Sequence, residues 1–148
     1  MGLHNLDHYT IDVADLEESK SFYCGLLGLK DGYRPPLSFP GAWLYCENEL
    51  PTVHLVDIKP GEPPRQTVKS GLLNHISFTC TGAEEIRARL DRSGVSYNVV
   101  VLPVVDKTQF FMKDPNGISV ELIFPPAETR QSDRDAMAAK QLTSTVTA

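Results

Sequence analysis

The segments LDHYTIDV (residues 6–13) and LNHISFTC (residues 73–80) decide how this chain is read. Each alternates as a strand does, and each has a histidine in third place, His8 and His75. The two histidines are 67 residues apart, and so are His54 and Glu121. The same offset carries Leu6 onto Leu73, Trp43 onto Phe110, Val53 onto Val120 and Leu55 onto Leu122. The chain therefore reads as one structural unit written twice, with a metal-ligand type of residue at matching places in each copy. Two such units facing each other would gather His8, His54, His75 and Glu121 at one point.

Outward from the first segment, Asp15 offers an N-cap and Glu18, three residues on, completes a capping-box pattern. The helix is expected to run to about Leu27, with Phe22, Tyr23, Leu26 and Leu27 as its apolar face and Gly28 as its stop. Residues 29–34 offer a further strand, and the three prolines and one glycine of 35–41 read as a loop. Strand patterns follow at 42–46 (AWLYC) and 52–58 (TVHLVDI), so module one, about 5–58, is β-α-β-β, with 29–34 as an optional further strand. Residues 59–71 hold three prolines and two glycines and read as the linker. Module two, about 72–124, repeats the order. It has a helix near 83–93 packing through Ile86 and Leu90 and stopped by Gly94, then a strand at 97–102. Last comes a hairpin, 109–113 and 118–124, around Asp114-Pro115-Asn116-Gly117. The tail, 125–148, is polar, and either a short helix near 130–141 or disorder suits it.

At 148 residues the chain is one domain, or two small modules sharing a core. Its 41% hydrophobic and 22% charged residues are those of a soluble globular protein. A net charge of −5 argues against a nucleic-acid partner, which would need a basic face. No apolar run approaches the ~20 residues of a membrane span, and no signal peptide is visible. Cys24, Cys46 and Cys80 are odd in number and lack a C-x-x-C spacing, which disfavours thiolate zinc and a disulfide framework. They read as small buried hydrophobes in a cytoplasmic protein.

Strand alternation assigns the faces. His8 lies with Thr10 and Asp12, opposite Tyr9, Ile11 and Val13. His75 lies with Ser77 and Thr79, opposite Ile76, Phe78 and Cys80. Glu121 lies with Ser119, opposite Val120, Leu122 and Phe124. His54 lies with Thr52, Val56 and Ile58, opposite Val53 and Leu55. All four candidates thus fall away from the helix-packing side, as on the inside of a cup. Of the aromatic residues Tyr45, Trp43, Phe110 and Phe111, those on the same face would line a pocket.

Imidazole and carboxylate suit Fe, Mn, Ni, Co and Zn, and two His with one carboxylate form a facial triad with open positions. His8, His75 and Glu121 are that triad. His54 is then either a fourth ligand or an acid–base group beside the metal. His4 has no counterpart at the offset and is set aside. Arg34, Arg65, Lys107 and Lys113 read first as solvated surface.

With these residues in view the chain resembles the vicinal oxygen chelate superfamily, which includes glyoxalase I, extradiol dioxygenases, fosfomycin-resistance enzymes and bleomycin-binding proteins. The segments that carry it are L-D-H-Y-T-I-D-V-A-D-L, F-Y-C-G-L-L-G-L, L-N-H-I-S-F and D-P-N-G-I-S-V-E-L-I-F, within residues 6–124. The resemblance implies an α+β fold, in which two tandem β-α-β-β-β modules form an open, cup-shaped mixed β-barrel with helices outside. It also implies a homodimer, and a divalent metal on His8, His75 and Glu121. His54 departs from glyoxalase I, which has a carboxylate or amide there, and matches the catalytic histidine of extradiol enzymes. Phe111 stands where those enzymes have a tyrosine. P-G-A-W-L-Y followed by V-H-L-V resembles a bacterial glyoxalase-like subgroup.

The expectation is a metal-dependent enzyme on a small molecule with two adjacent oxygens, an extradiol-type dioxygenase with Fe2+ or Mn2+ in which His54 is catalytic. A glyoxalase-I-like lyase or isomerase with Ni2+, Co2+ or Zn2+ on all four residues is the alternative. A metal-free binding protein of the bleomycin-resistance type is the third reading.

Overall fold

The computed structural model describes residues 6–58 and 73–146, with side chains to residue 140. The expected linker 59–71, its Arg65, and His4 lie outside the described residues. The chain divides into two compact units, Met1–Lys69 and Ser70–Ala148, each with its own four-stranded mixed sheet and helices, an α+β arrangement.

In the first unit, β1 (Tyr9–Val13) leads to α1 (Leu16–Lys20), which widens into π-type turns over Ser21–Leu26. Asp15 is the N-cap, its Oδ1 accepting the Glu18 N–H at 2.9 Å. The wider turns close with Leu27 N–H donating to Phe22 O at 3.1 Å. Phe22, Tyr23 and Leu26 are buried, and α1 packs against β4. Then come β2 (Lys30–Asp31), β3 (Gly41–Tyr45) and β4 (Val53–Asp57), in the sheet order β1-β4-β3-β2 with β1 and β4 parallel.

The second unit repeats the plan with β5 (Ile76–Thr79), α2 (Ala83–Ser93), β6 (Tyr97–Val101), β7 (Thr108–Lys113) and β8 (Ser119–Phe124). Its order is β5-β8-β7-β6, with β5 and β8 parallel. The β7–β8 turn is built by Asp114, whose Oδ1 accepts from Asn116 N at 2.9 Å and Ile118 N at 2.7 Å. Gly117 takes the left-handed φ of 83° that this turn requires. Leu90, Phe110, Val120, Leu122 and Phe124 make the core of the unit.

The structure corrects three expectations. The first strands of each unit begin at Tyr9 and Ile76, so His8 and His75 stand just before the ladder, and Leu6 and Leu73 are exposed. The match of Trp43 to Phe110 fails by one residue. Trp43 lies opposite His54 on β4, whereas Phe111 lies opposite Glu121 on β8. A one-residue change of register reverses the face. Phe110 is therefore fully buried in the core, and the counterpart of Trp43 is Phe111. The three thiols are half-buried and unbridged, not fully buried.

Past a single turn of 3-10 helix (Pro126–Glu128), the tail forms α3 (Gln131–Val146), which packs on β6. The helix reading thus holds over these residues. Arg87 on α2 ties it down, donating to Asp133 at 2.6 Å while its guanidinium covers the Phe110 ring at 4.8 Å. Arg134 adds a bidentate pair with Asp106 at 2.9 and 2.7 Å. Among the described residues no helix is long and apolar enough to cross a membrane.

Candidate functional site

The two central strands, β4 and β8, carry His54 and Glu121 at equivalent positions. Each is flanked by a small polar residue on the parallel neighbour, Thr10 and Ser77, and by an aromatic residue on the antiparallel one, Trp43 and Phe111. Apolar alternation fixes this. Val53 and Leu55, like Val120 and Leu122, turn into the core, which forces His54 and Glu121 onto the opposite face.

In the first unit His54 lies inside a stack of three rings. His8 covers it from the β1 side, with centroids 3.9 Å apart and planes inclined by 19°. Trp43 covers it from the β3 side, at 4.2 Å and 3°. His54 Nε2 is buried and finds no hydrogen-bond partner among the described residues. Burial, and then the neighbouring His8, push His54 below the ordinary imidazole pKa, so its neutral form is favoured. An imidazole binds a metal with a lone pair in its ring plane. An ion held by the His8 ring would lie off the plane of a ring stacked nearly parallel to it. The stack would therefore suit His54 better as an acid–base group than as a co-ligand of an ion held by His8.

In the second unit His75 Nε2 and Glu121 Oε2 are 3.0 Å apart, with Glu121 5% exposed and His75 35%. Two donor atoms, each ~2.1 Å from one divalent ion and at right angles to each other, are also ~3.0 Å apart. The pair stands at ion-pair distance, which is also the spacing of cis ligands. The other Glu121 oxygen, Oε1, accepts from the Gln109 side chain. Phe111 sets its ring edge-on against His75, with centroids 5.6 Å apart at 90°, and brings no hydroxyl to this face.

The structure thus brings His8 to His54 and His75 to Glu121, each pair within its own unit. Among the described residues no group of three or more His, Cys, Asp or Glu side chains forms a metal-holding cluster. Arg34 and Lys113 are engaged locally, with the Phe39 carbonyl at 2.8 Å and the Ser119 hydroxyl at 2.6 Å, and Lys107 is exposed. Three residues that touch the candidates were absent from the sequence reading: Asp7, Asn74 and Gln109. The offset that pairs the histidines also carries Asp7 onto Asn74, which is the signal that could have found them. Gln109 has no counterpart and left none. An open cavity beside the start of α2, between Gly82–Glu84 and Ala127–Arg130, has its carboxylates engaged within its own lining. Glu128 Oε2 accepts from Ala83 N at 2.6 Å, and Glu84 pairs with Arg130.

Residues 5–122 match the family model described as Glyoxalase/Bleomycin resistance protein/Dioxygenase superfamily. A 2,2',3-trihydroxybiphenyl dioxygenase of Sphingomonas paucimobilis is 28% identical over 131 residues, which is 83% of this chain and 42% of that protein. The chain therefore spans less than half the length of that relative. A glyoxylase/bleomycin resistance protein/dioxygenase domain from Frankia sp. superposes with a TM-score of 0.66 at 22% identity, covering 84% of this chain and 93% of the other. A lactoylglutathione lyase from Agrobacterium tumefaciens superposes with a TM-score of 0.61 at 18% identity, covering 86% and 98%. The two structures share the fold.

Proposed function

The chain belongs to the glyoxalase/bleomycin resistance protein/dioxygenase superfamily, and on that premise we propose that it is a divalent-metal enzyme of the extradiol dioxygenase type. Its substrate is a small molecule with two adjacent oxygens, such as a catechol. His8, His75 and Glu121 hold the ion, Fe2+ or Mn2+, and His54 serves as the acid–base group. The chain works as a homodimer, with the ligand set completed within one chain or between two.

The observation that carries this reading is the contrast between the two pairs. His75 Nε2 and Glu121 Oε2 stand 3.0 Å apart at a buried carboxylate, which fits a shared cation. His54 is stacked almost flat on His8, with its Nε2 buried and unbonded, which fits a proton-handling group. A bound divalent ion of this class polarises the oxygens it holds and lowers their pKa. His54, held neutral at neutral pH by its surroundings, accepts the proton that a catechol hydroxyl sheds. Phe111 offers no hydroxyl in support, so that task rests on His54 alone. Trp43 lies beside His54 and Phe111 beside Glu121, each within its own sheet, and each offers a planar substrate an apolar surface. The relative from Sphingomonas, named as a dioxygenase of a trihydroxybiphenyl, supports the same choice.

The test is oxygen uptake with catechols after anaerobic loading with Fe2+, run beside elemental analysis of the alanine variants. His8→Ala, His75→Ala and Glu121→Ala are expected to lose metal. His54→Ala is expected to keep metal and lose turnover. Metal binding without oxygen uptake, together with metal loss in His54→Ala, would transfer the assignment to a glyoxalase-like lyase using all four residues. A protein that binds no divalent metal would be a binding protein.

A further inference from the structure

We propose that Asp7 and Asn74 are positioning residues of the metal centre, each fixing its histidine as the Nδ1–H form and so presenting Nε2 to the ion. His8 Nδ1 lies 2.6 Å from Asp7 Oδ2, and His75 Nδ1 lies 2.8 Å from Asn74 Oδ1. Both partner atoms only accept, so Nδ1 carries the proton in each ring. The same contact is built in both units, at residues related by the 67-residue offset.

Local backbone explains how neighbouring side chains can meet at all. In a regular strand, consecutive side chains point to opposite faces. Asp7 and His8 precede β1, and Asn74 and His75 precede β5, so neither pair is bound by that alternation. The late start of both strands is thus the geometry that lets each histidine turn back to its neighbour. For His75 the direction is visible: Nε2 faces Glu121 Oε2 at 3.0 Å, a contact that an ion would bridge in place of a proton. His54 has no such partner on its buried nitrogen, in keeping with a different task.

The two contacts differ in charge. A carboxylate accepting the Nδ1 proton makes the far nitrogen a stronger electron donor than an amide oxygen does. His8 is therefore the stronger of two unequal ligands. The His8–Asp7 contact is solvent-exposed, with Asp7 91% exposed, so it contributes little to folding. Its loss should be felt at the metal and not in the melting temperature.

This inference rests on the metal-centre reading above, and the experiment separates the two. Full-length Asp7→Ala, Asp7→Asn, Asn74→Ala and Asn74→Asp are titrated with Mn2+, beside His8→Ala and His75→Ala. Nitrogen NMR of the metal-free imidazole rings is recorded at alkaline pH. Asp7→Ala and Asn74→Ala should bind Mn2+ roughly 10–100-fold more weakly at unchanged melting temperature. Asp7→Asn and Asn74→Asp should recover most of the loss, and the alanine variants should show mixed tautomers. If the alanine variants bind Mn2+ as the parent does while His8→Ala and His75→Ala do not, the positioning role is overturned and the metal centre stands. If His8→Ala and His75→Ala also bind Mn2+ normally, the metal centre falls. The ring spectra then decide alone, and unchanged tautomers in Asp7→Ala and Asn74→Ala overturn the positioning role as well.

Discussion

At the residue scale, His54 is the side chain whose surroundings say most. It is sandwiched between His8 and Trp43, and Trp43 is the single tryptophan of the chain. A protonated imidazole quenches an indole stacked on it, so Trp43 reports on the charge of His54. Burial and the nearby His8 depress the His54 pKa from 6.5, so the emission of the metal-free protein should fall only below that value as pH drops. The sign for stability follows. The folded state binds fewer protons than the unfolded state in this window. The contribution is whole above 6.5 and is lost as pH falls through the depressed value. His54→Leu should abolish the transition, and a midpoint at or above 6.5 would contradict the buried stack. In turnover, His54→Ala should cost about 10²–10⁴-fold in kcat if the ring handles a proton. What the spacing made legible is that His54 and Glu121 take equivalent places on their central strands. The pairing of His8 with His54 and of His75 with Glu121, and the proposed split between ligand and base, were not legible, since they depend on ring planes and an unbonded Nε2 that spacing does not encode.

At the scale of elements, polar–apolar alternation and capping carried far. Asp15 with Glu18, the Gly94 stop and the Asp114–Gly117 turn all take their expected places. The Trp43 match failed because Phe111 precedes its partner Glu121 by one residue fewer than Trp43 precedes His54, and a fixed offset cannot sense that. The π-type turns of 21–26 had no sequence signal either. Gly41 is a sensitive point. A Cβ there would overlap the Leu55 carbonyl oxygen, so only glycine lets β3 approach β4 closely enough to lay Trp43 on His54. Gly41→Ala should cost about 1–3 kcal/mol and shift Trp43 emission toward that of a solvated indole. An unchanged melting temperature would contradict this packing. On the other unit, Arg87→Ala removes both the cover on Phe110 and the partner of the half-sheltered Asp133. A loss of about 1–2 kcal/mol is expected, read as faster amide exchange in α3. The exposed pairs Asp106–Arg134 and Glu84–Arg130 act by pH. Their arginines hold both carboxyl pKa values below the ordinary range, so their help to α3 is present above that range and fades as acid protonates them.

At the scale of the whole molecule, duplication is the organising fact. Two units repeat β-α-β-β-β, and each contributes a histidine just before its first strand and a second polar candidate on its central strand. Among the described residues neither unit gathers two histidines and a carboxylate at one point, so the proposed triad draws its residues from both. The direct measurement is X-ray absorption at the iron edge of the full-length protein loaded with Fe2+ under argon, compared with the same spectrum of His8→Ala. One iron per chain with two imidazole nitrogens and a carboxylate oxygen in its inner shell is expected, with one imidazole missing in the variant. An iron shell with a single imidazole, unchanged in His8→Ala, would show that the two halves do not share an ion.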